Sequence, residues 1–331
     1  MINQYKELMD VLGVNRIKTN ENLSSYSTFR LGGPADLFFK AVSKEDMLTS
    51  IGLAEKLKIR YFVLGQGTNV IFSDLGFRGL VIKNESSVIR FKGLTGSRLE
   101  KNPGNSFVDK VYLEVDSGVS VNRLVRNTIS QGLAGLEYFL GQPGTVGGAV
   151  WINAHNIKNE KYFGDLLLSG RIYRPYKGEF EVPNSYFRFN YDFSKIQKTG
   201  EIVLSVTLLL SRKDKNQLWS TAKKALEYRQ NTQPSGTSSA GCLFRNISKS
   251  QAFRLSTPDY TCSAGYLLDA AGLKGKSIGS LQFSASHANF LVNKGKATFT
   301  DMLELIALAR KKVYEKFGIQ LELEAVLVNP E

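Results

Sequence analysis

Two cysteines, Cys242 and Cys262, and two histidines, His155 and His287, are all that a chain of 331 residues contains. That scarcity excludes a disulfide framework and leaves little from which to build a zinc site, so no metal is expected. No segment approaches the ~18 consecutive apolar residues of a spanning helix. The N-terminal MINQYKELMDVLGV carries acidic residues and no long apolar run, so it reads as neither a secretory signal nor a membrane anchor. The pattern GxxxxGK[ST] is missing, which disfavours a nucleoside-triphosphate P-loop. Internal repeats and low-complexity stretches are missing as well. The expectation is a soluble, reduced, cytoplasmic protein with no membrane partner.

Basic residues are plentiful, 43 Lys and Arg against 30 Asp and Glu, for a formal net charge of +13. They are scattered, with pairs such as Lys223-Lys224 and Lys311-Lys312 in place of the stripe that a nucleic-acid binder presents. A nucleic-acid partner is therefore not expected. A solvated basic surface and a surface attracting small polyanions such as nucleotides both fit, and charge alone does not choose between them. With 42% apolar residues the chain can bury real cores, and its length suggests two or three domains.

Along the chain, Ser43 is placed to cap a helix in which Leu48, Ile51 and Leu57 recur at helical spacing. Arg60–Leu64 and Val70–Phe72 read as short strands on either side of a glycine-rich turn. Lys110–Val115 alternates like a strand. Ser120 then opens a helix with Val121, Leu124, Val125, Thr128 and Ile129 inward, closed by Gly132. Ile202–Leu210 is an apolar strand, the polar stretch 211–217 marks a candidate domain boundary, and a helix follows at about Leu218–Arg229. Met302, Ile306, Ala309, Val313 and Phe317 share one face of a late helix ending at Gly318. LELEAVLV (321–328) reads as a strand by alternation.

Two glycine clusters stand out. Gly65-x-Gly67-Thr68-Asn69 follows an apolar strand, and glycine there lets backbone N–H groups converge on an anion. Strand-like VIF comes next where a dinucleotide fingerprint would open a helix, so a Rossmann reading is poor. Taken alone, GQGTNV reads as a tight turn. The second cluster, GQPGTVGGA (141–149), shifts the balance: Gly144, Thr145, Gly147, Gly148 and Ala149 form a small-residue loop able to wrap a pyrophosphate. Two such loops suggest a long dinucleotide held between lobes.

STFRLGGPAD (27–36), VLGQGTNVIFSD (63–74), GQPGTVGGAVWINA (141–154), SAGCLFRN (239–246), AGLKGKSIGS with HANFLVN (271–293) and LELEAVLV (321–328) occur in that order. In this the chain resembles the UDP-N-acetylenolpyruvoylglucosamine reductase family, from about Asn22 to Val328. The resemblance implies an α+β protein: a two-subdomain FAD-binding fold of the vanillyl-alcohol-oxidase (PCMH) type plus a C-terminal α+β substrate-binding domain. The FAD-binding part is expected over 1–212, split near 85, and the substrate-binding part over 213–331, with the last strand packing back near the flavin. It implies bound FAD, NADPH as co-substrate, a UDP-sugar substrate and a monomer. Reduction of an enolpyruvyl ether to UDP-N-acetylmuramate, in peptidoglycan precursor synthesis, is the implied activity. The short run from Tyr228 to Cys242 matches the form of the family lacking an extra tyrosine-bearing loop.

The family's proton donor is a Ser or Cys after an Ala-Gly pair, which the resemblance carries onto Cys242. A thiol of pKa about 8.5 is mostly protonated at neutral pH and gives up a proton more readily than a serine hydroxyl. Cys262 is expected to be a small buried hydrophobe. Glu324 matches the Glu of the terminal motif that supports the substrate carboxylate and the enolate-like intermediate; its same-parity neighbour Glu322 is expected on the same side. The cofactor loops carry over onto Gly65, Gly67, Thr68, Asn69, Gly144, Thr145, Gly147, Gly148 and Ala149. Tyr191, Ser194, Arg229, Asn246, His287 and Asn289 carry over as substrate-side contacts.

The chain departs from the family pattern in two places. Asp192 stands where an Arg clamps the substrate carboxylate, and Thr232 stands where a Lys is usual. On a strand, Arg188 would share the face of residue 192 about 13 Å away, so it is the expected stand-in. Two alternatives remain at this stage. One is an FAD-dependent oxidoreductase of the same fold acting on another sugar or alcohol, against which SAGC and HANF argue. The other is a non-catalytic flavin- or UDP-sugar-binding relative in which Asp192 and Thr232 mark lost activity.

Overall fold

The structure, a computed structural model, describes residues 2–95 and 110–330. Two compact units divide it. The first contains Met1–Lys18, Phe38–Gly65 and Leu80–Arg229, and the second Thr19–Leu37, Gln66–Gly79 and Gln230–Glu331. A four-stranded sheet takes Ile17–Asn22, Pro34–Ala41, Phe77–Asn84 and Tyr61–Leu64 in that order.

In the first unit Tyr61–Leu64 runs parallel to Leu80–Lys83. A longer antiparallel sheet is ordered Gly178–Pro183, Leu167–Arg174, Ile202–Arg212, Lys110–Asp116, Ile89–Thr95. Alternation drives its central strands: Val111, Leu113 and Val115 point inward, opposite Val206, Leu208 and Leu210. The helix Val121–Ser130 buries the five side chains that the spacing picked out, Val121, Leu124, Val125, Thr128 and Ile129, against this core. Ser43 caps Lys44–Lys56 through its hydroxyl, which accepts from the Asp46 amide at 3.1 Å.

The helix Lys215–Thr232 begins three residues before the spacing suggested, inside the stretch read as a polar break. Asp214 explains this, because its carboxylate accepts the Gln217 amide at 2.9 Å and starts the helix there.

The second unit has its own core, in which Phe244, Leu267, Leu268, Leu281, Phe283, Met302, Leu305 and Val313 are sealed from solvent. Its long helix Phe299–Phe317 opens with a reciprocal Thr298–Asp301 capping box and stops at Gly318, whose φ of +64° suits glycine. Val326–Val328 pairs parallel with Val70–Phe72.

The final segment differs from the simple alternating strand. Only Val326–Val328 is strand; before it, Leu323 bridges Phe244 while the Glu324 amide donates to the Leu243 carbonyl. Glu322 and Glu324 both flank Leu323 on the Leu243–Arg245 segment, and the partner changes only between Glu324 and Val326; Glu322 is exposed and Glu324 half-buried. Among the described residues no helix is long and apolar enough to cross a membrane.

Candidate active site

Within the second unit, three separated stretches of sequence meet around Cys242. The Cys242 backbone bridges Phe290 and that of Phe244 bridges Leu323. Asn289 fixes this arrangement. Fully buried, it accepts the Phe244 amide at 2.9 Å and donates to the Phe244 carbonyl at 2.8 Å, and its own carbonyl takes the Leu243 amide. The sequence-expected substrate contact is thus occupied with backbone support. His287 accepts the Asn289 amide through Nδ1 at 3.3 Å and packs edge-on to Phe290. Burial pushes its pKa below the ordinary value. Asn246 accepts the Ala264 amide at 3.0 Å.

Cys242 is half-buried beside Gly241, and a cavity of about 10 Å³ opens there, lined among others by Phe29, Ala240, Cys242, Met302 and Ala325. Cys262 is half-buried and packs at the margin of the core. The Glu324 backbone is held twice, through its amide on Leu243 and through its carbonyl, which accepts from Asn69 Nδ2 at 3.1 Å. Gly67, Thr68 and Asn69 therefore share the second unit with Cys242, Asn246, His287, Asn289 and Glu324. Thr28 links the same loop to the cysteine segment: its hydroxyl lies 3.2 Å from the Gly67 carbonyl and 2.8 Å from the Ser239 carbonyl. Gly67 itself is required by the fold, since φ is +65° and a Cβ would lie 2.1 Å from the Tyr26 carbonyl.

The other expected residues belong to the first unit. Gly65 lies against the second glycine cluster so closely that a Cβ would meet Thr145 Oγ1 at 2.6 Å. Lys83 donates to the Gly65 carbonyl at 2.5 Å. Thr145 caps the helix Val146–Ile152. The amides of Val146, Gly147 and Ala149 are taken by the carbonyls of Val119, Ser117 and Thr145. Gly148 is exposed, its amide makes a long 3.4 Å bond to Thr145 Oγ1, and a Cβ there would meet nothing closer than that oxygen at 3.6 Å. The absence of a side chain at Gly65 lets Thr145 pack against that loop, while the exposed Gly148 leaves a backbone surface open that fits the approach of an anionic dinucleotide such as FAD. Among the described residues no group of three or more His, Cys, Asp or Glu side chains is arranged to hold a metal ion.

Residues 190–193 form a tight turn, closed by reciprocal bonds between Asn190 and Phe193. Asn153 ties it down, donating to the Asn190 carbonyl while accepting the Gly164 amide. Ser194 is buried and gives its hydroxyl to the Trp151 carbonyl at 2.5 Å. Arg188 is exposed and left-handed, φ +46°, at the end of a 3-10 turn. The strand geometry that made it a stand-in for residue 192 is absent.

The feature that the sequence reading missed is a pair: Asp192, wholly buried, lies with Oδ1 3.3 Å from His155 Nδ1. The His155 ring is 5.0 Å from that of Tyr191 and 5.9 Å from that of Tyr162. Burial pushes the His155 pKa down, Asp192 pulls it back up, and Arg229, on the helix Lys215–Thr232, pushes it down again.

Residues 35–181 match the family described as "FAD binding domain", and residues 233–328 match "UDP-N-acetylenolpyruvoylglucosamine reductase, C-terminal domain". A reductase of that name from Halalkalibacterium halodurans is 33% identical over 98% of this chain and 99% of its own. One from Chlamydia muridarum is 35% identical over 92% of each. The crystal structure of UDP-N-acetylenolpyruvylglucosamine reductase (MurB) from Thermus caldophilus superposes with a TM-score of 0.71 at 28% identity, covering 95% of this chain and 99% of that one. A FAD-binding fold joined to that C-terminal domain defines a flavin-dependent oxidoreductase, and the fold class expected from sequence is borne out. The chain belongs to the UDP-N-acetylenolpyruvoylglucosamine reductase family.

Proposed function

We propose that the chain uses FAD and NADPH to reduce the enolpyruvyl group of UDP-N-acetylglucosamine enolpyruvate, giving UDP-N-acetylmuramate for peptidoglycan precursor synthesis in the cytoplasm. The observation that carries this reading is the backbone frame that holds Cys242 and Glu324 in neighbouring segments, within the stretch matching the reductase C-terminal domain. FAD, when bound, would supply the two-electron redox chemistry that links NADPH to the enolpyruvyl group.

The rest falls to side chains. Gly148 gives the dinucleotide a backbone surface, with Gly65, Gly67, Thr68, Asn69, Gly144, Thr145, Gly147 and Ala149 shaping the two loops. Cys242 Sγ–H donates the proton to the carbon next to the reduced one. Glu324, in its protonated form, donates a hydrogen bond to the substrate carboxylate as negative charge develops there. Tyr191, Arg229 and Asn246 contact the UDP-sugar, whereas Ser194, His287 and Asn289 act by holding neighbouring backbone.

The FAD-binding part is assigned to 1–212, divided near 85, and the substrate-binding part to 213–331. Pairing of Val326–Val328 with Val70–Phe72 supports a last strand returning to the first glycine loop. The protein acts as a monomer. Steady-state assay with the enolpyruvyl UDP-sugar and NADPH tests the proposal: NADPH oxidation that depends on that sugar supports it, and sugar-independent oxidation alone refutes it.

A further inference from the structure

The carboxylate of a UDP-sugar acid needs a cationic partner, and position 192, which the family resemblance reserves for arginine, holds an aspartate instead. Asp192 is engaged with His155 at 3.3 Å, and 19% of the His155 side chain remains exposed against 1% for Asp192. The His155 ring stands within ion-pair distance of a buried carboxylate and beside the Tyr191 and Tyr162 rings, so its orientation is set by these protein contacts. Arg229 acts electrostatically on His155, the Lys158 ammonium sits 4.1 Å over the Tyr228 ring, and Lys161 stands on the strand paired with His155 and Asn156. Tyr191 and Tyr162 complete the surround. Besides Asp192, the charge that acts on His155 is the Arg229 guanidinium. The flanking segment carries both signs, Lys158 and Lys161 with Glu160 and with Asp165, whose carboxylate accepts the Tyr162 amide. The Arg229 cation beside a partly exposed imidazole is what favours an anion there.

We propose that His155, held by Asp192, pairs with the carboxylate of the UDP-sugar and takes up a proton from solvent as that carboxylate binds. This rests on the substrate class proposed above. In the ligand-free protein, burial keeps the imidazole neutral at physiological pH. An anion placed against its exposed edge reverses that balance, so binding and protonation are linked and affinity falls as pH rises, by up to about tenfold per pH unit between the free and bound values.

The chain has two histidines, so the test is a proton NMR titration of the imidazole resonances of the flavin-loaded protein. It is run alone, with UDP-N-acetylmuramate, and with UDP-N-acetylglucosamine, which has the diphosphate but lacks the carboxylate. Flavin absorbance reports binding independently of either histidine. The expected result is one resonance, missing in His155→Gln, that titrates below the ordinary histidine value in the free protein and above it with UDP-N-acetylmuramate only. In the same variant the affinity for UDP-N-acetylmuramate should lose its pH dependence between 6 and 8, to within about twofold per unit. Binding with no shift of that resonance overturns the proposal, as does an equal shift with UDP-N-acetylglucosamine, which would make the diphosphate the partner. Binding of neither sugar overturns the functional reading, and the proposal with it.

Discussion

Asn69 donates its side-chain amide to the Glu324 carbonyl at 3.1 Å, and the Asn69 carbonyl accepts the Val326 amide at 2.9 Å. Two residues 255 apart in sequence are thereby held as neighbours, and the first glycine loop sets where the terminal glutamate stands. Asn69→Ala removes one bond, a change of about 1 kcal/mol. Substrate reduction should slow by about fivefold, while anaerobic bleaching of the flavin by NADPH keeps its rate. Stopped-flow measurement of the two half-reactions separates these effects.

Cys242→Ala should retain flavin and its reduction by NADPH yet slow reoxidation by the enolpyruvyl sugar by roughly 10²–10⁴-fold, the usual worth of a positioned proton donor. Cys242→Ser should recover part of the loss, because a hydroxyl occupies the same place. Single-turnover reoxidation checks both, and unimpaired turnover of the alanine variant removes Cys242 from the mechanism.

The three glycines most exposed to test behave differently. Gly148→Ala meets no atom closer than 3.6 Å, so it should fold normally and still bind FAD at least tenfold more weakly, since the methyl group occupies the open surface. Gly65→Ala should lower the melting temperature as well, because its Cβ collides with Thr145 Oγ1. Gly67→Ala, left-handed and 2.1 Å from the Tyr26 carbonyl, should be the least stable of the three. Thermal melts and flavin fluorescence titrations rank them.

Local chemistry explains how far these features were legible beforehand. Hydrophobic spacing located the helix Val121–Ser130 with its buried face, and the Ser43 cap, because both depend on residues within one or two turns. The strand Val70–Phe72 was legible between its punctuating residues. The Cys242, Glu324 and glycine-loop positions came from ordered motifs, and the structure places Cys242, Glu324 and Gly67–Asn69 in one unit. What failed was reasoning that assumed an uninterrupted strand. Arg188 and Asp192 were related by strand spacing, whereas both are left-handed; the terminal LELEAVLV was read as one strand, whereas its partner changes between Glu324 and Val326. The His155–Asp192 pair was illegible because its geometry is set by Asn153, which anchors the turn at Asn190 through a bond spanning 37 residues.

Glu201 gives a pH dependence with a definite sign. Burial alone would raise its pKa, but hydrogen bonds from Tyr186 at 2.6 Å, Thr199 at 2.7 Å and Arg174 at 2.9 Å outweigh it and hold the carboxyl below its ordinary 4.5. A depressed folded-state pKa contributes stability that is full above the unfolded value and is lost as pH falls through the folded one. Melting temperature should therefore drop on acidification below about pH 4.5. Glu201→Gln should melt lower at pH 7 and show a shallower acid decline. An unchanged decline in that variant would assign the acid limb to other carboxylates.

The most direct measurement is the absorbance spectrum of the purified, FAD-loaded protein under anaerobic conditions, first with NADPH and then with UDP-N-acetylglucosamine enolpyruvate. The account predicts a yellow protein that bleaches with NADPH and regains its colour when the sugar is added, with UDP-N-acetylmuramate formed in equal amount. A flavin that bleaches but is not reoxidised by that sugar would contradict the assigned substrate, and a protein that cannot take up FAD would contradict the assignment of both glycine loops.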